Sequence, residues 1–222
     1  MFGDLSSLLD SLAGELAPIQ RAAARLLDET SVLDDATGNA LISRRTKIAP
    51  EAFAFVLFRG ISSENIGVYT SLNKRISIIP HKYREILAVL NGASLFQIHL
   101  YGIPLSMCSD PPLLNRSTRQ PLDLGSANAN WSREFCPSLE QFHFGGGPYS
   151  ESENLGYFLN ADNSVEALRR GGAGFGTWPD FASFLKDELE RAEALFPEHE
   201  ERWFKFNQSL GPRVRRSIKK PN

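Results

Sequence analysis

The stretch from Ile79 to Pro104, IPHKYREILAVLNGASLFQIHLYGIP, decides the fold, because it predicts a short helix, its end and a strand. Pro80 suits the first turn of a helix, where the missing N–H costs no hydrogen bond. Since glycine tolerates a left-handed backbone, we expect the helix to end at Asn91-Gly92. Helical spacing predicts that one face is buried, formed by Tyr83, Ile86, Leu87 and Leu90.

The residues that follow this helix predict one half-buried strand from Leu95 to Tyr101. They favour β-structure and alternate between two sides. One side carries Phe96, Ile98 and Leu100, and the other carries Leu95, Gln97, His99 and Tyr101.

A second block, later in the chain, predicts the rest of a mixed domain. Gly156 to Leu159 predicts a strand, Asn160 to Asn163 a turn, and Val165 to Leu168 another strand. The sequence Trp178-Pro179-Asp180-Phe181 then predicts the start of a long helix.

The order of a proline, a helix with an aromatic residue, Asn-Gly, an apolar strand and Tyr-Gly, followed by the second block, resembles the SUKH superfamily. This group contains fungal cell-wall regulators and bacterial toxin-immunity proteins, and the resemblance covers roughly residues 62–196. It implies a non-enzymatic protein-binding domain. The role that it implies most specifically is immunity, in which the protein binds a cognate toxin, often a nuclease, and blocks its active site.

We therefore expect an α+β fold with a mostly antiparallel central sheet, flanking helices and an N-terminal helical arm. Residues 1–60 are predicted to form the arm and an extension, residues 61–196 the SUKH-like domain, and residues 197–222 a C-terminal helix and basic tail. An apolar stripe from Phe2 to Leu26 predicts that the arm packs across the domain's own core, with a dimeric coiled coil as the less favoured alternative. Pro18 interrupts this stripe, so we expect either a kink or two shorter helices that meet near Ala17.

Composition narrows the classes of function. A formal net charge of -2 gives no global attraction to nucleic acid, so direct nucleic-acid binding is not expected. Cys108 and Cys136 lack the spacing of a metal site or a disulfide framework. The sequence shows neither a secretory signal nor an apolar run of membrane-spanning length, so we expect a cytoplasmic protein without a metal or cofactor.

Motifs for catalysis are missing from the sequence. Gly145-Gly146-Gly147 and the glycine-rich run 171–176 lack the phosphate-binding and dinucleotide-binding fingerprints, and both are predicted to be flexible turns. The histidines show no metal-site spacing: His81, His99, His143 and His199. Two alternatives to immunity stay open. One is a regulatory scaffold or peptide-binding module, and the other is a hydrolase-type enzyme that uses His99 or His143 with a carboxylate.

One carboxylate is predicted to be buried. On the last helix Glu188 falls within the apolar arc that includes Phe184, Leu185 and Leu189. A buried carboxylate needs a partner, so we expect either a salt bridge to an arginine or a position at the rim of the core, with a general base of raised pKa as the alternative.

The predicted partner-binding surface combines aromatic and polar side chains of the strands and loops, because rigid aromatic groups are enriched at binding hot spots. Tyr101, Tyr157 and Trp178 match positions that look like determinants of the family's fold, so core packing is an alternative role for these three. The predicted partner-binding residues are His99, Tyr101, Trp131, Tyr149, Asn154, Tyr157 and Trp178.

Overall fold

A computed structural model describes residues 5–34, 38–43, 53–73, 76, 78–107, 120–150 and 153–209. Within these residues, nine strands form one antiparallel sheet in which each strand pairs with its neighbours in sequence. The predicted α+β fold with an antiparallel sheet and N-terminal helices is confirmed. The strands are β1 (Val32–Asp34), β2 (Asn39–Ser43), β3 (Phe53–Arg59), β4 (Leu90–Leu95), β5 (Ile98–Leu100), β6 (Phe142–Pro148), β7 (Asn154–Leu159), β8 (Val165–Arg169) and β9 (Gly174–Trp178).

Helices precede, interrupt and follow the strands. They are α1 (Leu5–Asp10), α2 (Ala17–Leu26), α3 (Ser63–Leu72), α4 (His81–Val89), α5 (Leu124–Ser126) and α6 (Phe181–Ser209). Short turns of other helix types are the 3-10 helices Gly14–Leu16, Leu105–Met107 and Ser132–Phe135 and the π-helix Ala127–Trp131.

Helix α4 starts directly after Pro80, as predicted, and its predicted apolar face is buried. The Tyr83 hydroxyl of this helix donates a 2.5 Å hydrogen bond to the carbonyl of Tyr101 and so joins the helix to the sheet. The predicted end is wrong by a short distance. The helix ends at Val89 because Leu90 already has an extended backbone, with φ of -138°, and begins β4.

Asn91 and Gly92 consequently lie in a strand, where they bring distant backbone together. The buried side-chain amide of Asn91 exchanges two hydrogen bonds of 2.8 Å with the backbone of Ile103. Gly92 has a φ of 86°, and a Cβ there would lie 2.7 Å from the carbonyl oxygen of Leu100. The close approach of the neighbouring strand, rather than a helix end, requires this glycine.

The single strand predicted from Leu95 to Tyr101 is also wrong, because the chain reverses inside it. Phe96 and Gln97 have φ values of 47° and 76° and form the turn between β4 and β5. Two residues of positive φ match the twist of an antiparallel hairpin. The Phe96 ring packs edge-on against Phe55 in the core, with 4.9 Å between the ring centroids, which offsets the backbone strain.

The N-terminal arm forms separate helices, as the position of Pro18 predicted. A 3-10 turn separates α1 from α2, and α2 begins at Ala17. The apolar stripe of the arm is buried in the main core of the protein, which confirms packing within the chain's own domain. Its most buried members are Leu12, Ile19 and Ala23, while Phe2, where the stripe begins, lies outside the described residues.

The sheet and helix α6 each run across one of the two predicted domain boundaries. The sheet crosses the boundary after residue 60, because β3 pairs with β4, so β1 to β3 belong to the same sheet as the predicted SUKH-like part. Helix α6 runs through the boundary after residue 196 and continues to Ser209. The basic tail from Arg213 onwards lies outside the described residues.

Strand alternation places the side chains on two faces of the sheet. The helix face packs against α4 and α6 and carries Phe144 and Tyr157, whose rings meet Phe184 of α6. The opposite face, which we call the cavity face, carries His99, Tyr101, His143 and Phe158.

The glycine run 145–147 is a buried strand segment and not the flexible turn that was predicted. A Cβ on Gly146 would lie 2.7 Å from the hydroxyl oxygen of Tyr101. A Cβ on Gly147 would lie 2.8 Å from the hydroxyl oxygen of Tyr157, on the other face. The run is therefore required by two tyrosines that pack on it. In the second run, Gly171 and Gly172 do form a turn, with φ of 85° and 90°, and strand β9 follows from Gly174.

Glu188 is buried, with only 2% of its surface exposed, and the predicted salt bridge to an arginine is confirmed. Arg191 donates from Nε to one carboxylate oxygen at 2.8 Å and from Nη2 to the other at 2.5 Å. The Tyr157 hydroxyl donates to the same carboxylate, and Arg191 Nη1 donates to the Pro148 carbonyl at 2.7 Å. This Glu188 cluster attaches α6 to β6 and β7.

Replacing Glu188 by Gln tests this role. The change leaves the partly buried Arg191 without its carboxylate, so the free energy of unfolding should fall by about 2–3 kcal/mol, as measured by urea denaturation. Glu190→Gln is the matched control, since Glu190 is exposed on the same helix and its replacement should cost less than about 0.5 kcal/mol. Equal effects of the two variants would contradict a structural role for the cluster.

Candidate functional site

A cavity of about 750 Å³ lies on the cavity face, at the end of the sheet where β6 ends and β7 begins. Its floor is formed by Gln97, His99, Tyr101, Gly146, Gly147, Pro148, Asn154 and Leu155. Its walls and rim are formed by Leu122, Trp131, Glu134, Phe135, Glu153 and Arg170.

One wall of the cavity, which we call the aromatic wall, is formed by residues 122–135 and carries Trp131 and Phe135. It is anchored at its start by Asp123, which caps α5. The carboxylate accepts hydrogen bonds from the backbone N–H groups of Gly125 and Ser126 at 3.1 and 3.0 Å. The Tyr69 hydroxyl of α3 donates to it at 2.7 Å. Burial alone would raise the pKa of Asp123, but these hydrogen bonds outweigh burial and hold the pKa below its usual value.

The π-helix Ala127–Trp131 is attached to the sheet through Asn128. Its side-chain amide donates to the carbonyl of His143 at 2.8 Å and accepts from the N–H of His143 at 3.0 Å. Asn128 thus serves as a pairing partner for β6. The attachment positions Trp131 against Tyr101, with 5.4 Å between the ring centroids, and directs both rings to the cavity.

Hydrogen-bonding groups without a partner converge on this cavity. Within the described part of the chain, five lining side chains carry polar atoms but form no hydrogen bond. They are Gln97, His99, Tyr101, Trp131 and Asn154. Asn154 is exposed, while Gln97, His99 and Trp131 are half-buried and Tyr101 is buried. None of their polar atoms belongs to the buried unpaired atoms, so these groups are open to solvent in the cavity and available to a bound molecule.

Charge is confined to the rim of the cavity. Burial lowers the pKa of His99, so its ring is neutral at pH 7 and offers one donor and one acceptor. Arg170 and Glu134 form an ion pair at 2.6 Å, and both side chains are largely exposed. The interior therefore combines aromatic area with neutral polar groups.

His143 lies beneath the cavity and does not line it. Its ring stacks on Phe158 at 4.5 Å and meets Tyr101 and Phe135 edge-on at 5.2 and 5.5 Å. Only 1% of its surface is exposed, and its Nε2 has no partner among the described residues. Burial lowers the pKa of His143 to about 4, although hydrogen bonds to Ala127 and Gly145 oppose the shift.

The structure brings together four of the predicted partner-binding residues, since His99, Tyr101, Trp131 and Asn154 all line the cavity. Tyr149 directly follows the lining residue Pro148, but its ring packs against Phe175 with 5.2 Å between centroids. Tyr149 therefore belongs to the helix face.

Tyr157 requires correction, and the alternative of core packing fits it, whereas the half-buried Trp178 stays a prediction as a partner contact. Tyr157 is completely buried and bonded to Glu188, so no partner can reach it without unfolding. Burial, and next the charge of Glu188, raise the pKa of Tyr157 well above its usual value. The Trp178 indole packs on Phe184 at 5.3 Å, and its Nε1 donates to Asp187 at 3.0 Å.

Sequence reasoning missed several lining residues. The alternation that placed Gln97 on the same side as His99 and Tyr101 was a signal for Gln97. Phe135 and Glu134 gave no such signal, because they follow a π-helix that no periodic pattern marks.

No family model, curated protein or solved structure matches the chain, so the SUKH assignment stays a prediction. In the part of the chain that the structure describes, no helix has the length and apolar character needed to cross a membrane. Likewise, no three His, Cys, Asp or Glu side chains of the described residues are grouped as metal ligands. Cys136 is an exposed free thiol, and Cys108 lies outside the described ranges.

The buried His143 predicts a pH dependence of stability. Between about pH 6.5 and pH 4 the unfolded chain binds a proton that folded His143 does not, so stability should fall as the pH is lowered. The pKa difference between 6.5 and about 4 corresponds to about 3 kcal/mol, fully present above pH 6.5 and lost by pH 4.

Urea denaturation of wild type and His143→Phe at pH 7 and pH 4.5 measures this effect. The variant should lose less stability than wild type on acidification, whatever its stability at pH 7. His81→Phe is the control, because the His81 side chain is 89% exposed. The same pH dependence in wild type and His143→Phe would show that His143 is not the responsible group.

Proposed function

We propose that this protein is a non-enzymatic protein-binding domain and that the cavity holds a segment of its partner. The observation that supports the proposal most is the convergence of five unpaired polar side chains on one cavity with aromatic walls. Tyrosine and tryptophan supply rigid contact area at hot spots, while neutral amides and imidazole pair with the backbone and polar side chains of a bound segment.

Following the resemblance to SUKH proteins, the partner is a cognate toxin and the activity is immunity. The protein then acts in the cytoplasm, where it binds the toxin and covers its active site. The neutral interior favours a polypeptide segment over nucleic acid, because nucleic-acid binding relies on cationic side chains and the rim arginine, Arg170, is already paired with Glu134.

The regulatory-scaffold alternative uses the same cavity and differs only in the number of partners. For the enzyme alternative, the geometry gives little support. His143 is covered by the rings of Tyr101 and Phe135 and keeps only 1% of its surface exposed. His99 reaches the cavity, but its side chain forms no hydrogen bond with a carboxylate of the described residues.

A growth assay combined with affinity capture tests the proposal. The full chain is used to capture partners from native extract, and each captured protein is expressed alone and together with wild type. We expect one captured protein to stop growth and wild type to restore it. Trp131→Ala and Asn154→Arg should lose the rescue and weaken binding at least about tenfold, since one changes the wall and the other places a long cation at the opening.

Leu139→Ala is the control, because Leu139 is fully exposed and does not line the cavity. It should rescue growth as wild type does. Several captured host proteins without toxicity would support the scaffold instead of immunity. Rescue that survives both cavity variants would contradict the assignment of the cavity.

A further inference from the structure

Arg169 is a partly buried cation without an anionic partner. Among the arginines whose burial the structure describes, Arg169 and Arg191 are the two that are not exposed. Arg191 is paired with Glu188, whereas Arg169 forms no salt bridge with any described residue. Partly buried charges are normally paired, so this exception requires an explanation.

Two aromatic rings fix the position of Arg169. Its guanidinium carbon lies 4.0 Å from the centre of the Tyr149 ring, and Nη2 donates to the Tyr149 hydroxyl at 2.5 Å. The Phe175 ring centre is 5.9 Å away. The Nε of Arg169 is buried and has no acceptor in the part of the chain that is described. The cation is therefore held in place but not neutralised.

The neighbouring carboxylate cannot serve Arg169. The Arg191 guanidinium lies 5.6 Å from the centre of the same Phe175 ring. Both oxygens of Glu188 are already bonded by Arg191, and one also accepts from Tyr157. Two guanidinium groups thus approach one ring, but the carboxylate of Glu188 bonds to Arg191 and not to Arg169, whose charge has no anionic partner among the described residues.

We propose that Arg169, positioned by Tyr149 and Phe175, is an anion-binding site that takes a carboxylate of the partner protein. A planar guanidinium matches a carboxylate through parallel hydrogen bonds, and a partly desolvated site strengthens them. The site rests on the proposed function. It lies at the same end of the sheet as the cavity but on the helix face, because Arg169 stacks on Tyr149 and shares Phe175 with Arg191 of α6. A partner seated in the cavity would contact Arg169 around the end of β7, since Arg169 pairs with Leu155 and directly precedes Arg170, which both line the cavity.

A titration with sodium acetate tests the site without the partner. Arginine Nε–H resonances of the full chain are recorded by NMR at constant ionic strength, with chloride replaced by acetate, and Arg169 is assigned by the peak missing from Arg169→Lys. We expect a saturable shift of this peak. Backbone resonances around Phe175 should follow it in wild type and shift at least about tenfold more weakly in Arg169→Lys and Arg169→Gln.

Arg170→Gln is the matched control, since Arg170 is the next residue but is exposed at the rim of the cavity. It should respond to acetate as wild type does. Absence of a saturable shift, or an equal response in Arg169→Lys, would overturn the proposal. A second titration uses inorganic phosphate in place of acetate. Binding of phosphate but not of acetate would overturn the choice of a carboxylate as the ligand.

The two proposals fail separately. Loss of the acetate response with intact rescue of growth would remove the anion site and leave the partner-binding function. In the opposite case, an acetate response in a protein that rescues nothing would leave an anion site without an immunity function. If both hold, Arg169→Lys should weaken binding of the captured toxin, whereas Arg21→Gln, which removes an exposed cation that does not line the cavity, should not.

Discussion

The buried carboxylate of Glu188 is the constraint on which the rest of the structure depends. A charge in the core is stable only if it is paired, and Arg191 and Tyr157 both bond to it. Through Arg191 the cluster also holds the carbonyl of Pro148, at the edge of the cavity. Arg169 and Arg191 both approach the Phe175 ring, but only Arg191 is paired with Glu188. One ion pair thus supports the fold and holds the edge of the cavity.

The sheet separates a structural face from a binding face. On the helix face, Tyr157 and Phe144 pack under α6, and close packing at these two rings leaves no room for a ligand. The proposed anion site at Arg169 lies at the edge of this face, beyond the packed rings. On the cavity face, Tyr101 packs so closely on Gly146 that a Cβ on Gly146 would clash with the hydroxyl of Tyr101. The aromatic wall is attached through Asp123 and Asn128, among other contacts, and it covers part of that face. The cavity is the space left between the aromatic wall and the strand ends. Its shape therefore depends on the packing of Tyr101 on Gly146.

Local signals in the sequence were sufficient for the helices. Pro80 marked the start of α4, Pro18 divided the arm, and the period of α6 placed Glu188 inside, because each depends on residues within a few positions. Non-local contacts decided the rest. Gly146 and Gly147 are in a strand because tyrosines from other strands pack on them, which no local pattern shows. For the site, strand alternation predicted that His99 and Tyr101 lie on the same side of a strand, and it predicted no further lining residue beyond Gln97. Trp131 and Trp178 look alike in sequence, and only the sheet separates the first, on the cavity, from the second, bonded to Asp187.

This difference between the two tryptophans provides the most direct test of the central claim, that the cavity face binds the partner. The measurement is the NMR spectrum of the indole N–H groups during titration with the captured partner. The Trp131 resonance should shift or broaden at stoichiometric partner, because its N–H is unpaired and faces the cavity. The Trp178 resonance should stay in place, because its N–H is bonded to Asp187 on the other face. A shift of Trp178 with Trp131 unchanged would contradict the account and move the binding surface to the helix face.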